Sequence, residues 1–313
     1  MNLVKKVENK FGDIFNINSA KDTREAIGGL AFVAPAVILL AVFIIFPAIM
    51  SFYYSLTDFY ILTPDKTSFV GLDNYKYLFS EEIFYQALKN TIYFVLVVVP
   101  VQVGAALLLA VLINSKRIKG VKFFRTIFYS PVVLSMVVVS ILWAILYNPN
   151  DGLLNSLLVA LGLPKQPFLS SPKQAMNSII AMSVWQGVGY QMVIFLAGLQ
   201  DIPESLYEAA EIDGANIWQK FRHITLPGLY NVTVFVLLVT SIAAFGIFVQ
   251  PYVMTQGGPD GATKTLIMMF FEEGFQLREI GTSSAIVVIY FVMVLTVSIL
   301  QRKFAKDKQD SVI

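Results

Sequence analysis

Six apolar segments, each about 20 residues long, constrain this chain more than any other feature of its sequence. A helix of that length crosses the roughly 30 Å hydrocarbon core of a bilayer. Charged residues make up 14% of the chain, against about 25% in soluble domains. The sequence therefore predicts an all-α integral membrane protein with six transmembrane helices. These run from about Leu30 to Phe52, Thr91 to Ile113, Ile127 to Tyr147, Ser178 to Leu199, Val232 to Tyr252 and Ile280 to Leu300.

The Lys and Arg residues are distributed unevenly between the two sides that six spans define. Sixteen of the 23 lie in the N-terminal tail, in the second and fourth loops and at the C-terminus. Because basic residues flank the cytoplasmic side of membrane helices, both termini and the segment Glu208–Pro227 are predicted to be cytoplasmic. The chain is accordingly expected to be a multi-pass protein of the cell membrane. The polar N-terminus shows no removable signal peptide, and Phe11, Ile14, Phe15 and Ile17 would give it a surface-lying helical turn.

No Asp, Glu, Lys, Arg or His falls inside any of the six predicted spans. Proton-driven transporters need ionisable relays at membrane depth, so proton coupling and a charged solute held by an ion pair are both disfavoured. The spans instead hold neutral polar and aromatic side chains, which suit a polyhydroxyl solute through hydrogen bonds and ring stacking. For each single Ser or Gln, a hydrogen bond between neighbouring helices is the alternative.

The sequence gives little evidence for a metal site, a disulfide or a phosphate-binding loop. Cysteine is absent and histidine occurs once, which excludes disulfides and disfavours a histidine metal site. The Gly-rich segment Gly257–Thr265 resembles a phosphate-binding loop superficially. That pattern needs Gly directly before Lys-Thr, and Thr263 stands there. No arrangement of acid–base or nucleophilic groups indicates an enzyme, and nothing indicates a nucleic-acid partner.

The segment from Asp201 to Pro227 is too polar to cross a bilayer and is patterned as two short helices. Pro203 and Glu204 form a helix start, and Gly214 suits a left-handed C-terminal cap. A second helix is expected over Ile217–His223, ended by Leu226-Pro227. Ala209 and Ala210 form a small-residue face, with Leu206, Tyr207 and Ile212 as candidate anchors for a groove in a partner. A lipid-bound helix would favour Lys and Arg, whereas acids dominate here, so a protein partner is the better interpretation.

The spacing within this segment resembles one family closely. Glu208-Ala209-Ala210, three residues, Gly214, nine residues and then Ile224-x-Leu226-Pro227 is similar to the cytoplasmic loop of binding-protein-dependent ABC importer permeases. Three further segments resemble the carbohydrate branch of that family, and the overall layout resembles the maltose-type first permease subunit. These segments are Phe69–Tyr75, Thr255–Pro259 and Ala262–Leu266.

The resemblance implies a type I ABC importer permease fold and a set of partners. A second homologous permease would complete the path, two cytoplasmic ATPases would bind ATP and magnesium, and an external sugar-binding protein would deliver the solute. This chain would bind no cofactor directly and would contact its partners and membrane lipid. Its implied divisions are a tail (1–26), a first span with an external loop (27–86), a permease core (87–304) and a C-terminal tail (305–313). The implied ATPase-coupling residues are Glu204, Tyr207, Glu208, Ala209, Ala210, Asp213, Gly214, Leu226 and Pro227.

The resemblance also implies where the solute path runs. Family positions fall on the third, fourth and fifth spans, at Val132, Met136, Ser183, Gln186, Gly187, Tyr190, Thr240 and Ala244, and Trp185 is added as a candidate wall residue. Several of these positions depart from the family's residues, so the particular sugar stays open. Core packing or a lipid-facing ring is the alternative for Trp185. The alternative cargoes are glycerol phosphate or an acidic sugar, and an ion-coupled secondary transporter is the alternative mechanism.

Overall fold

The computed structural model describes residues 20–115 and 120–310. Within these ranges the chain is helical and has no strand, and two isolated antiparallel bridges, Thr57–Phe69 and Tyr60–Glu279, join loops. The α-helices of the described residues are α1 (Ala20–Leu40), α2 (Phe46–Tyr54), α3 (Asp73–Ser80), α4 (Glu82–Ile113), α5 (Val121–Val133), α6 (Met136–Leu146), α7 (Leu153–Ala160), α8 (Ala175–Gln200), α9 (Glu204–Ile212), α10 (Ile217–Lys220), α11 (Leu226–Gly228), α12 (Tyr230–Phe245), α13 (Val249–Thr255), α14 (Leu266–Phe271) and α15 (Ile280–Asp310). Wider π-helical turns lie at Ala41–Ile45, Phe221–Thr225 and Glu272–Gln276.

Four continuous helices are long and apolar enough to cross a membrane, and two bent pairs bring the number to six if each pair is one span. The continuous ones are Gly28–Tyr54, Glu82–Ile113, Ala175–Gln200 and Ile280–Lys303. The bent pairs are Val121–Val133 with Met136–Leu146, at 96°, and Ile217–Gly228 with Tyr230–Phe245, at 67°. The all-α membrane fold is confirmed, and two of the six predicted spans are interrupted.

The third predicted span, Ile127–Tyr147, is wrong as a single helix. The chain leaves helical geometry at Leu134 and Ser135, whose ψ angles are 145° and 129°. Pro131 lies three residues before this break. Its ring nitrogen cannot donate to the preceding turn, and the helix ends shortly after it. Two half-length helices, α5 and α6, therefore replace one span.

The fifth predicted span, Val232–Tyr252, also needs correction because α12 ends at Phe245. Phe248 has φ −144° and ψ −57°, and the chain starts α13 at Val249. Pro251 lies in the first turn of α13, where its missing N–H would have no helical partner in any case. The apolar run is continuous in sequence but belongs to two helices.

The core forms where α8 packs between α4 and α5. Gly189 allows this contact, because a Cβ at that position would lie 2.0 Å from the backbone oxygen of Phe128 on α5. Buried Phe195 and Met192 of α8 belong to the same apolar cluster as Val98 of α4. The cavity described below lies beside this packed centre.

The first span stands apart from that core. None of its most apolar 18-residue window is buried within the chain, and its ring contact with α15 joins Phe52 to Phe291 at 5.8 Å between centroids. The loop that follows is fixed by Asn74, whose Nδ2 donates to the carbonyls of Ser55 and Thr57 at 2.9 and 2.8 Å. The segment Phe69–Tyr75 is thus held against the residues that directly follow α2.

The Gly-rich segment after α13 is hydrogen-bonded to the first turns of α4. Gln86 Nε2 donates to the Asp260 carbonyl, and Asn90 Nδ2 donates to the carbonyls of Gly261 and Lys264, all within 2.9 Å. Thr263 is fully buried and donates to the Gly258 carbonyl. These bonds give the segment a structural role in fixing α13 and α14.

The predicted tails lie partly outside the described residues. The predicted surface turn from Phe11 to Ile17 is outside them, and α1 begins at Ala20, inside the predicted tail 1–26. The helix α15 extends through Asp310 and so overlaps the predicted C-terminal tail 305–313. The division of the chain into tails, first span and permease core otherwise stays a prediction.

Candidate functional site

A cavity of about 300 Å³ lies where the third and fifth predicted spans are interrupted. Met136, the first residue of α6, lines it, and so do the segment 246–248 that separates α12 from α13 and the first two residues of α13. Six of the nine predicted path residues line this cavity: Met136, Ser183, Gln186, Gly187, Thr240 and Ala244. The remaining lining residues are Phe94, Val98, Gln102, Gln191, Ala243, Gly246, Ile247, Phe248, Val249 and Gln250.

The lining of the cavity is neutral: it contains amides, hydroxyls, aromatic rings and aliphatic groups, and none of the residues named above carries a charge. Gln191 Nε2 donates to Thr240 Oγ1 at 3.2 Å and joins α8 to α12. Gln186 Nε2 donates to the Pro131 carbonyl at 3.4 Å, beside the break in the third span. Ser183 donates to the Ile179 carbonyl of its own helix at 2.8 Å. These amides therefore hold helices together and also line the cavity.

Gln102 is a lining residue that the sequence does not single out for the path. Gly187 gives it room, because a Cβ there would lie 2.4 Å from Gln102 Nε2. The amide of Gln102, on α4, therefore reaches across to α8 at the cavity wall. Sequence reading identifies it only as one of several polar residues in the spans, since nothing local marks the glycine opposite it.

Three predicted path residues lie outside the cavity lining. Trp185 and Tyr190 are each 43% exposed on the outer surface of α8, because neighbouring helical residues are separated by about 100° around the axis. The Trp185 ring packs against Trp143 at 5.4 Å between centroids. Val132 is half-buried near the end of α5. The cavity of this chain alone does not use these side chains.

The polar segment after α8 forms two arms joined by a tight turn. We call it the docking element: its first arm is α9, and its second arm is the helical segment Ile217–Gly228. Gly214 makes the turn with φ +75°, and Ala215 N donates to the Ala210 carbonyl at 2.8 Å. Asn216 caps the second arm through reciprocal bonds with Gln219. The predicted helix, turn and helix are all present.

The second arm differs from its prediction at its far end. It continues past His223 through the π turn to Gly228, so Leu226-Pro227 does not end it. Pro227 lies in the first turn of α11, where proline is tolerated. The chain turns toward α12 at Leu229, whose side chain is fully buried.

The docking element exposes most of its first arm and an apolar tip. No residue of α9 is buried, and Ile212 is 88% exposed. Across the turn, Ile217 and Trp218 are 75% and 65% exposed. These two residues were missed by the sequence reading, and the signal that would have found them is an apolar pair directly after the Asn216 cap.

Tyr207 is placed differently from the other two candidate anchors. Leu206 and Ile212 are exposed, whereas Tyr207 is half-buried and its hydroxyl lies 2.9 Å from Thr225 Oγ1 on the second arm. Lys220 also crosses between the arms to Glu211 at 2.7 Å. Tyr207 therefore faces the second arm of this chain rather than open solvent.

Comparison with known proteins identifies a family that this chain matches. Residues 79–309 match the family described as "Binding-protein-dependent transport system inner membrane component". The trehalose/maltose transport system permease protein MalF of Thermococcus litoralis is 35% identical over 295 residues, which cover 94% of this chain and 99% of that protein. The sn-glycerol-3-phosphate transport system permease protein UgpA of Agrobacterium fabrum is 35% identical over 279 residues, which cover 88% and 94%.

A solved structure is similar over almost the whole chain. It is a bacterial ABC transporter involved in the import of the acidic polysaccharide alginate, and one of its chains superposes with a TM-score of 0.80. The match covers 92% of this chain and 98% of that chain at 24% sequence identity. At this identity the likeness concerns the fold, which is that of an ABC importer permease.

Proposed function

The chain belongs to the family of binding-protein-dependent transport system inner membrane components, and we propose that it carries a neutral sugar through a path formed with a second permease. It is the membrane component of an ABC importer. What we propose is the cargo, the residues of the path and the way in which ATP hydrolysis is coupled to transport. The cavity at the two interrupted spans is the observation on which this proposal rests.

Two interrupted spans meeting at one cavity are what a transport path requires. Non-helical backbone at membrane depth is tolerated where it lines a cavity, and many transporters form solute sites from discontinuous helices near the midplane. Here the third span breaks just before Met136 and the fifth breaks at Gly246–Phe248, and these residues line the cavity. Relative movement of the half-helices would open this cavity to one side and then to the other.

The neutral lining favours an uncharged polyhydroxyl solute. A volume of about 300 Å³ is at the small end of ligand pockets, which span roughly 300–1,000 Å³. The amides of Gln102, Gln186 and Gln191 and the hydroxyl of Thr240 can bond sugar hydroxyls, and Phe94 and Phe248 can lie against a sugar ring. Relatives named for trehalose/maltose and for glycerol 3-phosphate are equally identical to this chain, so the neutral lining is the observation that favours a neutral sugar over glycerol phosphate. A phosphate would be expected to meet Arg or Lys.

The partners follow from the family and from the surfaces left open. A second permease would cover the exposed Trp185 and Tyr190 and complete the path. Two ATPases would bind the pair of permeases, one of them at this docking element, and would hold the ATP and magnesium, so this chain would hydrolyse no ATP. An external binding protein would deliver the sugar. Glu204, Glu208, Ala209, Ala210, Asp213 and Gly214 of the docking element are the proposed coupling residues, with Leu226 and Pro227 at its base.

Reconstitution of the complete importer in liposomes tests this function. We expect neutral sugars presented with the binding protein to stimulate ATP hydrolysis and to enter the vesicles, while glycerol 3-phosphate and uronic acids do not. Uptake of an anionic cargo in preference to neutral sugars would overturn the cargo. Gradient-driven uptake by this chain alone, without ATPases, would overturn the mechanism. A matched pair of variants, Gln191→Met and Gln250→Met, tests whether the amide that joins α8 to α12 matters more than one at the cavity rim.

A further inference from the structure

The two arms of the docking element are tied by a hydroxyl–hydroxyl hydrogen bond, from which we infer that Tyr207 and Thr225 form a strut transmitting ATPase movement to the membrane helices. Tyr207 is then a positioning residue within this chain and does not contact the ATPase. The inference rests on the proposed function, since it assumes that the docking element receives that movement. The strut is the route by which movement passes from the first arm to the second.

The contacts at Tyr207 and at Glu211 that tie the first arm to the second differ in their exposure. None of the residues of α9 is buried, so the arm is not held by packing into the membrane core. The Lys220–Glu211 pair also crosses to the second arm, but the Glu211 side chain is 67% exposed, and exposed ion pairs contribute little. The Tyr207–Thr225 bond is partly buried at 2.9 Å and is therefore the more rigid of the two crossings.

Thr225 lies where the second arm becomes part of the membrane domain. It is 5% exposed and ends the π turn Phe221–Thr225. Turns of this kind are frequent at functional sites. Its hydroxyl also lies 3.5 Å from the Lys220 carbonyl, five residues earlier. The wider turn thus accompanies the inward placement of the Thr225 hydroxyl, next to Tyr207.

The residues after Thr225 pack closely against the end of α8. A Cβ on Gly228 would lie 2.8 Å from Ile202 Cδ1, and a Cβ on Gly198 would lie 2.7 Å from Val232 Cγ2. Leu229 is fully buried between these contacts. The base of α12 and the end of α8 therefore move together, and both helices carry cavity residues, Gln191 on α8 and Thr240 on α12. A displacement of the first arm reaches the cavity through the strut.

The partner-facing residues are distinct from the strut. Ile212, Ile217 and Trp218 form an exposed apolar tip around the Gly214 turn, and exposed tryptophans with neighbouring apolar groups are typical anchors of protein interfaces. The tip would hold the ATPase, and the strut would carry its movement. The two roles predict different results for variants of the tip and of the strut.

The test compares Tyr207→Phe, Thr225→Val and the double variant in the complete importer, with sugar uptake and ATP hydrolysis measured in the same vesicles. We expect uptake per ATP hydrolysed to fall about fivefold in each single variant, as for loss of one hydrogen bond, and no further in the double variant. ATPase binding should be unchanged in these variants and weakened in Trp218→Ala. Tyr85→Phe, which removes the hydroxyl bonded to the Phe79 carbonyl at 3.1 Å, is the matched control and should behave as wild type.

A second measurement separates failure of the strut from failure of the proposed function. The chain has no cysteine, so Ala244→Cys places a single thiol at the cavity, and its alkylation rate with and without ATP reports movement without any cargo. ATP should change this rate in the Ala244→Cys chain and change it about fivefold less once Tyr207→Phe is added. An equal change in both chains, unaltered uptake per ATP, or loss of ATPase binding in Tyr207→Phe would overturn the strut. An importer with Ala244→Cys alone that shows the ATP-dependent change in alkylation but imports no sugar would overturn only the cargo.

Discussion

Gly187 and Gly189 lie two positions apart on α8 and meet different neighbours. A Cβ at Gly187 would meet the end of the Gln102 side chain at 2.4 Å, whereas one at Gly189 would meet the Phe128 backbone at 2.0 Å. A side-chain amide can rotate away, but a backbone carbonyl in a packed helix cannot move without shifting α5. The two glycines therefore serve different purposes: Gly187 shapes the cavity wall and Gly189 allows helix packing.

Alanine substitutions at these positions should separate function from stability. We expect Gly189→Ala to lose about 1–3 kcal/mol through overpacking and to show a lower melting temperature in detergent. Gly187→Ala should keep a melting temperature close to wild type but reduce sugar uptake, since the methyl group displaces Gln102 from the cavity wall. Thermal unfolding followed by size-exclusion chromatography measures the first effect, and vesicle uptake measures the second. Equal loss of stability in both variants would contradict this assignment.

Glu273 is a buried carboxyl in the π turn between α14 and α15. Burial raises its pKa above the ordinary value, and Glu279 raises it further, while Lys264 acts in the opposite direction. A carboxyl whose pKa is raised by folding binds more protons in the folded state, so its effect destabilises the fold as pH rises above about 4.5. The neighbouring Lys264 is already paired with Glu272.

Replacement of this carboxyl should therefore be stabilising in one pH range. We expect Glu273→Gln to have little effect on the melting temperature at about pH 4, below the raised pKa of this carboxyl, and to raise it as the pH increases above about 4.5. Thermal unfolding in detergent across this range measures the difference. Asp58→Asn is a useful contrast, because hydrogen bonds from Ser68 lower the pKa of Asp58. A lower melting temperature for Glu273→Gln at pH 7 would show that its charge is stabilised instead.

At the scale of elements, the turn between the two arms depends on one backbone conformation. Gly214 has φ +75°, and no atom lies within 4 Å of a Cβ placed on it. A substitution there is consequently strained by its backbone angle and not by a steric clash. Asparagine adopts this conformation more readily than other residues, and β-branched residues adopt it least.

A graded series at position 214 follows from this geometry. Gly214→Asn should retain most sugar uptake, Gly214→Ala should lose part of it, and Gly214→Val should abolish it while the protein still inserts in the membrane. The strain of about 1–2 kcal/mol opens the turn and misplaces the exposed tip. Uptake normalised to the amount of chain in the membrane measures the series. Normal uptake by Gly214→Val would remove the docking element from the coupling route.

The sequence predicts these elements unevenly, for physical reasons. Hydrophobic length identifies the spans, and capping residues identify both arms of the docking element, because these signals are local. Proline does not show which spans break: Pro35 lies within α1 and Pro100 within the continuous α4, whereas Pro131 precedes a break. Whether a helix continues past proline depends on what surrounds it, and that is a tertiary property. The Gln102–Gly187 contact is likewise a tertiary feature that the local sequence pattern does not predict.

At the scale of the whole molecule, this chain leaves large apolar surfaces uncovered beside its cavity. The helix α8 is the most central one, yet Trp185 and Tyr190 on it stay 43% exposed. Val137 and Ile141 of α6 are also close to half exposed. A single chain therefore surrounds its cavity on some sides and leaves a membrane-facing surface beside it. We expect the second permease to cover this surface.

Single-cysteine labelling tests this arrangement in a chain that has no cysteine of its own. We expect the thiol of Trp185→Cys or Tyr190→Cys to react with a maleimide when this chain is expressed alone and to be protected when the second permease is present. Ser80→Cys, at the exposed end of α3, is the control and should react equally in both cases. Because lipid surrounds both preparations, protection that appears only on assembly identifies a protein neighbour. Equal reactivity at all three positions would place the second permease against another surface of this chain.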